Sequence, residues 1–104
     1  MARARNIKPA FFTNEDLVDL PFQDRLLFIG LWTIADREGR LEDRPKRIKM
    51  EIFPADDVDV EASLERLQAS GMIARYQVGD GRYIEVVNFT KHQRPHTKES
   101  PSDI

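Results

Sequence analysis

Between Pro21 and Arg37 the apolar positions Phe22, Leu26, Leu27, Phe28, Ile29, Leu31, Trp32 and Ile34 recur too densely for a single stripe. They predict a central helix covered over most of its circumference. Pro21 suits the first helical position, where its missing N–H costs nothing, and Gly39 is expected to close the segment. Fully covering a large side chain contributes about 1.5 to 3 kcal/mol, so this helix should supply much of the core. Upstream, Thr13-Asn14-Glu15-Asp16 sets a capping side chain before carboxylates and predicts a short turn of helix through Leu20. Residues 1–8 have no periodicity, and residues 1–10 are expected to form a flexible basic arm.

Downstream the period changes twice. Arg40-Leu41-Glu42 reads as a short extended piece able to pair with a later hairpin. Pro45 opens a second helix with Ile48 and Ile52 four apart on its buried side, and Pro54 stops it. Asp59 is a good N-cap for a third helix whose apolar stripe is Val60, Leu64 and Leu67. Gly71 is the expected left-handed residue past its end, with Met72 folding back onto Leu67 in a Schellman arrangement. Ile73 to Val78 and Arg82 to Phe89, rich in branched and aromatic residues and parted by Gly79-Asp80-Gly81, predict a hairpin. Residues 91–104 are polar and broken by proline, a tail or linker.

That order predicts an α+β, mainly α domain over residues 11–90. Its outline is a winged helix-turn-helix, a three-helix core followed by a C-terminal β-hairpin wing. Such modules usually hold nucleic acid, with the later helix in a groove and the hairpin beside it.

Composition narrows the reading further. At 104 residues one domain fits, and 40% hydrophobic with 33% charged residues suits a folded chain. Without cysteine there is no disulfide framework or thiolate metal cage. The longest apolar stretch, Leu26 to Ile34, is far below the roughly 20 residues of a membrane span. No apolar signal segment follows the N-terminal arginines. A soluble cytosolic protein is expected, without membrane association. Phosphate loops, serine elbows and paired dinucleotide glycines are missing, so no enzyme, cofactor or small-molecule substrate is expected. His92 and His96 have the spacing of two metal ligands on one helical face, but Pro95 breaks such a helix, and exposed tail histidines are the favoured reading. Asp56, Asp57 and Asp59 lack the glycine and glutamate of a calcium loop and read as turn and cap residues. Trp32 reads as core rather than as a stacking platform.

Charge changes the picture more. A net charge of -2 hides three basic segments: Arg3, Arg5 and Lys8; Arg44, Lys46, Arg47 and Lys49; and Lys91, Arg94 and Lys98. The second lies at the start of a helix, where free N–H groups and the helix dipole favour anions. Phosphate contact and a solvated face paired with Glu42, Asp43 and Glu51 are both open readings there. Arg3 and Arg5 suit either a minor-groove arm or a plain disordered end. Arg75 and Arg82 suit a wing touching phosphates. On the third helix the residues expected to meet a groove are Ser63, Arg66 and Gln68. Glu61 and Glu65 on the same helix would be repelled by phosphates. The alternative is that this acidic helix faces another protein or a second copy of the chain.

Taken together, Arg5-Asn6-Ile7-Lys8-Pro9, Phe11-Phe12 with Asn14-Glu15, Arg25-Leu26-Leu27-Phe28, Gly30-Leu31-Trp32, Ala35-Asp36-Arg37-Glu38-Gly39-Arg40-Leu41, Arg44-Pro45 and Phe89 with Lys91-His92-Gln93 resemble phage and prophage replication proteins. The resemblance is to the N-terminal winged-helix domain of replisome-organiser or replication-initiation proteins, and runs from about Arg5 to Lys98. It implies binding of origin DNA, in replication initiation or its control, in the cytoplasm or nucleoid of a bacterial host. It also implies a separate C-terminal segment that recruits helicase-loading proteins. No such segment follows the tail in this sequence, so an isolated domain or a small stand-alone relative is expected.

Overall fold

The computed structural model describes residues 3–93. A 3-10 turn at Pro9–Thr13 leads to helix α1 (Phe22–Ile34), strand β1 (Arg40–Glu42), helices α2 (Pro45–Ile52) and α3 (Val60–Ala69), strands β2 (Ile73–Val78) and β3 (Gly81–Val86), and a last helical turn α4 (Phe89–His92). The strands form one antiparallel sheet in the order β1-β3-β2. This α+β layout is compatible with a winged helix.

Buried positions of α1 are Asp24, Leu27, Phe28 and Leu31, a stripe at i, i+3, i+4 and i+7. The stripe packs on α3 and α2 together with Leu64, Leu67, Ile48, Phe53, Ile73 and Ile84. Helix α1 is therefore not covered all round, as its composition predicts: Phe22 is 83% and Leu26 51% exposed. So short a chain supplies neighbours for only part of the helix surface. The helix also ends before Arg37, because Ala35 turns extended while its N–H still donates to Leu31 O. A tight turn follows, in which Asp36 Oδ1 accepts from the N–H groups of Glu38 and Arg40. Gly39, with φ +83°, belongs to this turn rather than to a helix cap. Its N–H donates to Asp36 O and its carbonyl accepts from Val86 N–H at 2.7 Å.

Both caps of α3 take the expected form. Asp59 accepts from Ala62 N–H at 3.1 Å. At the other end Met72 N–H donates to Leu67 O and Gly71 N–H to Gln68 O, with Gly71 at φ +78°, which is the Schellman pattern. In the hairpin Val78 lies opposite Gly81, leaving Gly79-Asp80 as the loop. Positive φ is confined to Gly79, as a type II′ turn requires. The second strand stops at Val86 rather than Phe89, because Asn88 adopts the left-handed conformation at φ 60° and opens α4.

The N-terminal segment differs from expectation. Asn14, not Thr13, does the capping: its Oδ1 accepts from Asp16 N–H and its carbonyl from Leu17 and Val18 N–H. The result is a set of turns that seats Leu17 in the core instead of a helix. The arm lies along the C-terminal end of α1. Arg3 N–H donates to Thr33 O at 2.7 Å, Arg3 Nη1 to Ala35 O, and Arg5 Nε to Trp32 O at 2.9 Å. These guanidiniums meet carbonyls that the end of a helix leaves without partners, at the negative pole of its dipole. Buried Gln93 clasps the backbone of Asn6 from the far end of the chain, accepting its N–H at 2.9 Å and donating to its carbonyl at 2.7 Å. The packed unit thus extends beyond residues 11–90 on both sides.

Candidate nucleic-acid interface

Pro45 at N1 fixes the start of α2, with Arg44 at the N-cap position and Lys46 and Arg47 in the first turn. Ile48 points inward, so these three cations are exposed. Arg44 lies 3.8 Å from Glu42 and Arg47 3.5 Å from Glu51, both well solvated. Such surface pairs are worth 1 kcal/mol at most and exchange readily for another anion. Lys46 has no ion pair among the described residues. Lys49 turns the other way and donates to Phe53 O at the C-terminal end of its own helix.

Arg82 joins this group through the sheet. Asp43 N–H donates to Arg82 O at 2.9 Å, which lays the loop end of the hairpin beside the residue before the N-cap of α2. Exposed Arg82 and exposed Arg44 therefore flank the same Asp43. Arg44, Lys46 and Arg47 stand at the start of α2, and the backbone of Arg82 adjoins that start through Asp43, while the Arg82 charge also favours the ionised Glu61 carboxylate.

Five other expected site residues are otherwise engaged. Ser63 has no exposed surface: it sits between Val60, Leu64 and Leu67 on the apolar side of α3 and cannot meet a groove. Arg66 is turned toward α1, gripping the fully buried Asp24 through Nε and through Nη2 at 2.9 Å. Hydrogen bonding to Asp24 holds its guanidinium charged beyond the usual arginine range. Arg75 is not a wing contact. Its guanidinium bridges Asp43 (2.7 and 3.0 Å) and Glu61 (2.7 and 2.8 Å), tying β2 to α3 and to the entry of α2. Those hydrogen bonds, first from Glu61 and then from Asp43, raise its pKa strongly, and Arg75 in turn depresses the Glu61 carboxyl. Arg3 and Arg5 cover the end of α1, with Arg5 also 5.0 Å over the Phe89 ring.

What α3 leaves at the surface is Glu61, Glu65 and Gln68, spaced at i, i+4 and i+7 on one side. Glu61 shares the Arg75 guanidinium with Asp43, so its charge is offset only in part, and Glu65 adds a second acid to this face. Asp24 was readable in principle as an acid lying within the buried stripe of α1. Its partner 42 residues away was not.

No helix among the described residues is long and apolar enough to cross a membrane. Among them no three His, Asp or Glu side chains gather into a metal cage; His96, Arg94 and Lys98 lie outside the described residues. Comparison with protein-family models, curated proteins and solved structures gave no match.

Proposed function

We propose that this chain is a winged helix-turn-helix domain that binds duplex DNA, with Arg44, Lys46, Arg47 and Arg82 contacting phosphates. The observation that carries this reading is the Asp43–Arg82 backbone hydrogen bond, which unites the start of α2 with the loop end of the wing. A helix N-terminus with exposed cations and a neighbouring hairpin arginine forms a surface complementary to a phosphate backbone. The resemblance to phage replication-initiation proteins supports a role at a replication origin or in its control.

Affinity for duplex should fall steeply with salt. Lys46→Ala and Arg82→Ala should each reduce the slope of log K against log salt by about one unit, as for the loss of one phosphate contact. Slopes equal to that of the parent in both variants would remove this edge from the interface. Lack of binding to any duplex in dilute buffer would end the DNA reading.

A second reading draws support from the outer face of α1. Phe22 and Leu26, four apart on one side of α1, are exposed, and apolar surface of this kind marks contact with another protein. Under that reading the domain also docks a replication protein or a second copy of itself. Phe22→Ser should then lower the sedimentation-derived mass of any self-associated form without altering the salt slope.

A further inference from the structure

A cavity of about 180 Å³ opens where the N-terminal segment, α1 and the β3–α4 corner meet, on residues separate from the cationic edge. Its walls are Phe11, Leu17, Phe28, Trp32, Val86 and Phe89, and its polar groups include Lys8, Asn14 and Asn88. Apolar cavities of about 150 Å³ stay dry and accept a benzene ring, so this one has the size of one aromatic ring. The walls are built rather than incidental. Phe11, Phe28 and Trp32 interlock, with Phe11–Trp32 and Phe28–Trp32 edge to face at 5.7 and 5.3 Å. The Gln93 clasp on Asn6 and the Phe11 N–H bond to Lys8 O at 2.9 Å fix the segment that carries Lys8. A mainly apolar pocket of one-ring size with exposed Lys8 among its lining residues suits a ring that bears one negative charge.

We propose that this cavity binds a small aromatic acid, the ring among Phe11, Phe28 and Trp32 and the carboxylate on Lys8. Sequence motifs gave no reason to expect a small-molecule ligand, because the chamber is assembled from three distant segments.

Trp32 is the chain's single tryptophan and lines the cavity, so its fluorescence reports occupancy directly. Titrating the full chain with benzoate should give a saturable change, with benzyl alcohol weaker and acetate silent. Lys8→Met, at an exposed position, should weaken benzoate about tenfold and leave benzyl alcohol unchanged, as expected for loss of one charged hydrogen bond. Ala10→Phe and, as an independent block, Val87→Phe fill the cavity from exposed positions and should abolish the response in whichever variant keeps the parent's unfolding midpoint. The proposal is overturned by a flat benzoate titration up to about 10 mM, above the dissociation constant of about 1 mM expected for a one-ring ligand. Unchanged benzoate affinity in Lys8→Met, or in a folded cavity-filling variant, overturns it equally.

Discussion

Arg66 on α3 holds Asp24 on α1 through two parallel hydrogen bonds, and Asp24 is fully buried while the Arg66 side chain is 41% exposed. The pair fastens the two helices that carry most of the core. Its geometry assigns Arg66 a structural task in place of the base contact that its position on the third helix implies. Removing the guanidinium strands a carboxylate with no water around it. Arg66→Ala should therefore cost about 3 kcal/mol, the lower end of the range for breaking a buried pair, since the outer side of Arg66 is solvated. Urea unfolding at neutral pH checks this. At a temperature where both proteins are folded, the salt slope of DNA binding should not change.

Acid should loosen the second clamp. Arg75 depresses the Glu61 carboxyl below the usual glutamate value of 4.5. A carboxylate lowered by folding adds stability above its unfolded value, and this is lost as the pH falls through the folded value. Glu61→Gln should thus be less stable than the parent above about pH 5, by no more than about 1 kcal/mol because Glu61 is half exposed. The gap should close as the pH falls below 4.5. Thermal midpoints of the two proteins from pH 7 to pH 3 test the sign; a gap that widened on acidification would contradict it.

Two glycines separate backbone strain from packing. Gly71 has φ +78° with open space where a Cβ would stand, whereas a Cβ on Gly39, at φ +83°, would lie 2.5 Å from Phe89 Cβ. Gly71→Ala should cost the left-handed conformation alone, about 1 to 2 kcal/mol. Gly39→Ala adds displacement of Phe89 from the core and should cost clearly more, with both measured as shifts in unfolding midpoint. Equal losses would mean that Phe89 moves aside freely.

Local chemistry made much of the fold legible. Asp59, Gly71, Pro45 and the Gly79-Asp80 loop each act within a few residues of themselves, so type and position are enough to read them. That Arg75, Arg66 and Ser63 are engaged within the fold was hidden for the opposite reason. Their partners lie 14 to 42 residues away or in the core, and one-dimensional spacing distinguishes a surface cation poorly from one held by a buried acid. Ser63 was within reach of pattern reading, because it falls on the Val60–Leu64–Leu67 stripe. The arm was not, because the groups it binds are backbone carbonyls at the end of α1, which have no side-chain signature.

Glu65 offers the cleanest test of where α3 lies. Reversing Glu61 would break the Arg75 clamp and confound binding with folding, whereas exposed Glu65 makes no ion pair among the described residues. If α3 approaches the duplex, Glu65→Gln removes one charge repelled by phosphates. Duplex binding should then tighten several-fold at about 50 mM salt, and the advantage should fade by about 200 mM as screening shortens the reach of the lost charge. Fluorescence anisotropy at the two salt concentrations measures this directly. Affinity identical to the parent at both would place α3 away from the DNA and leave the interface to the start of α2 and the wing.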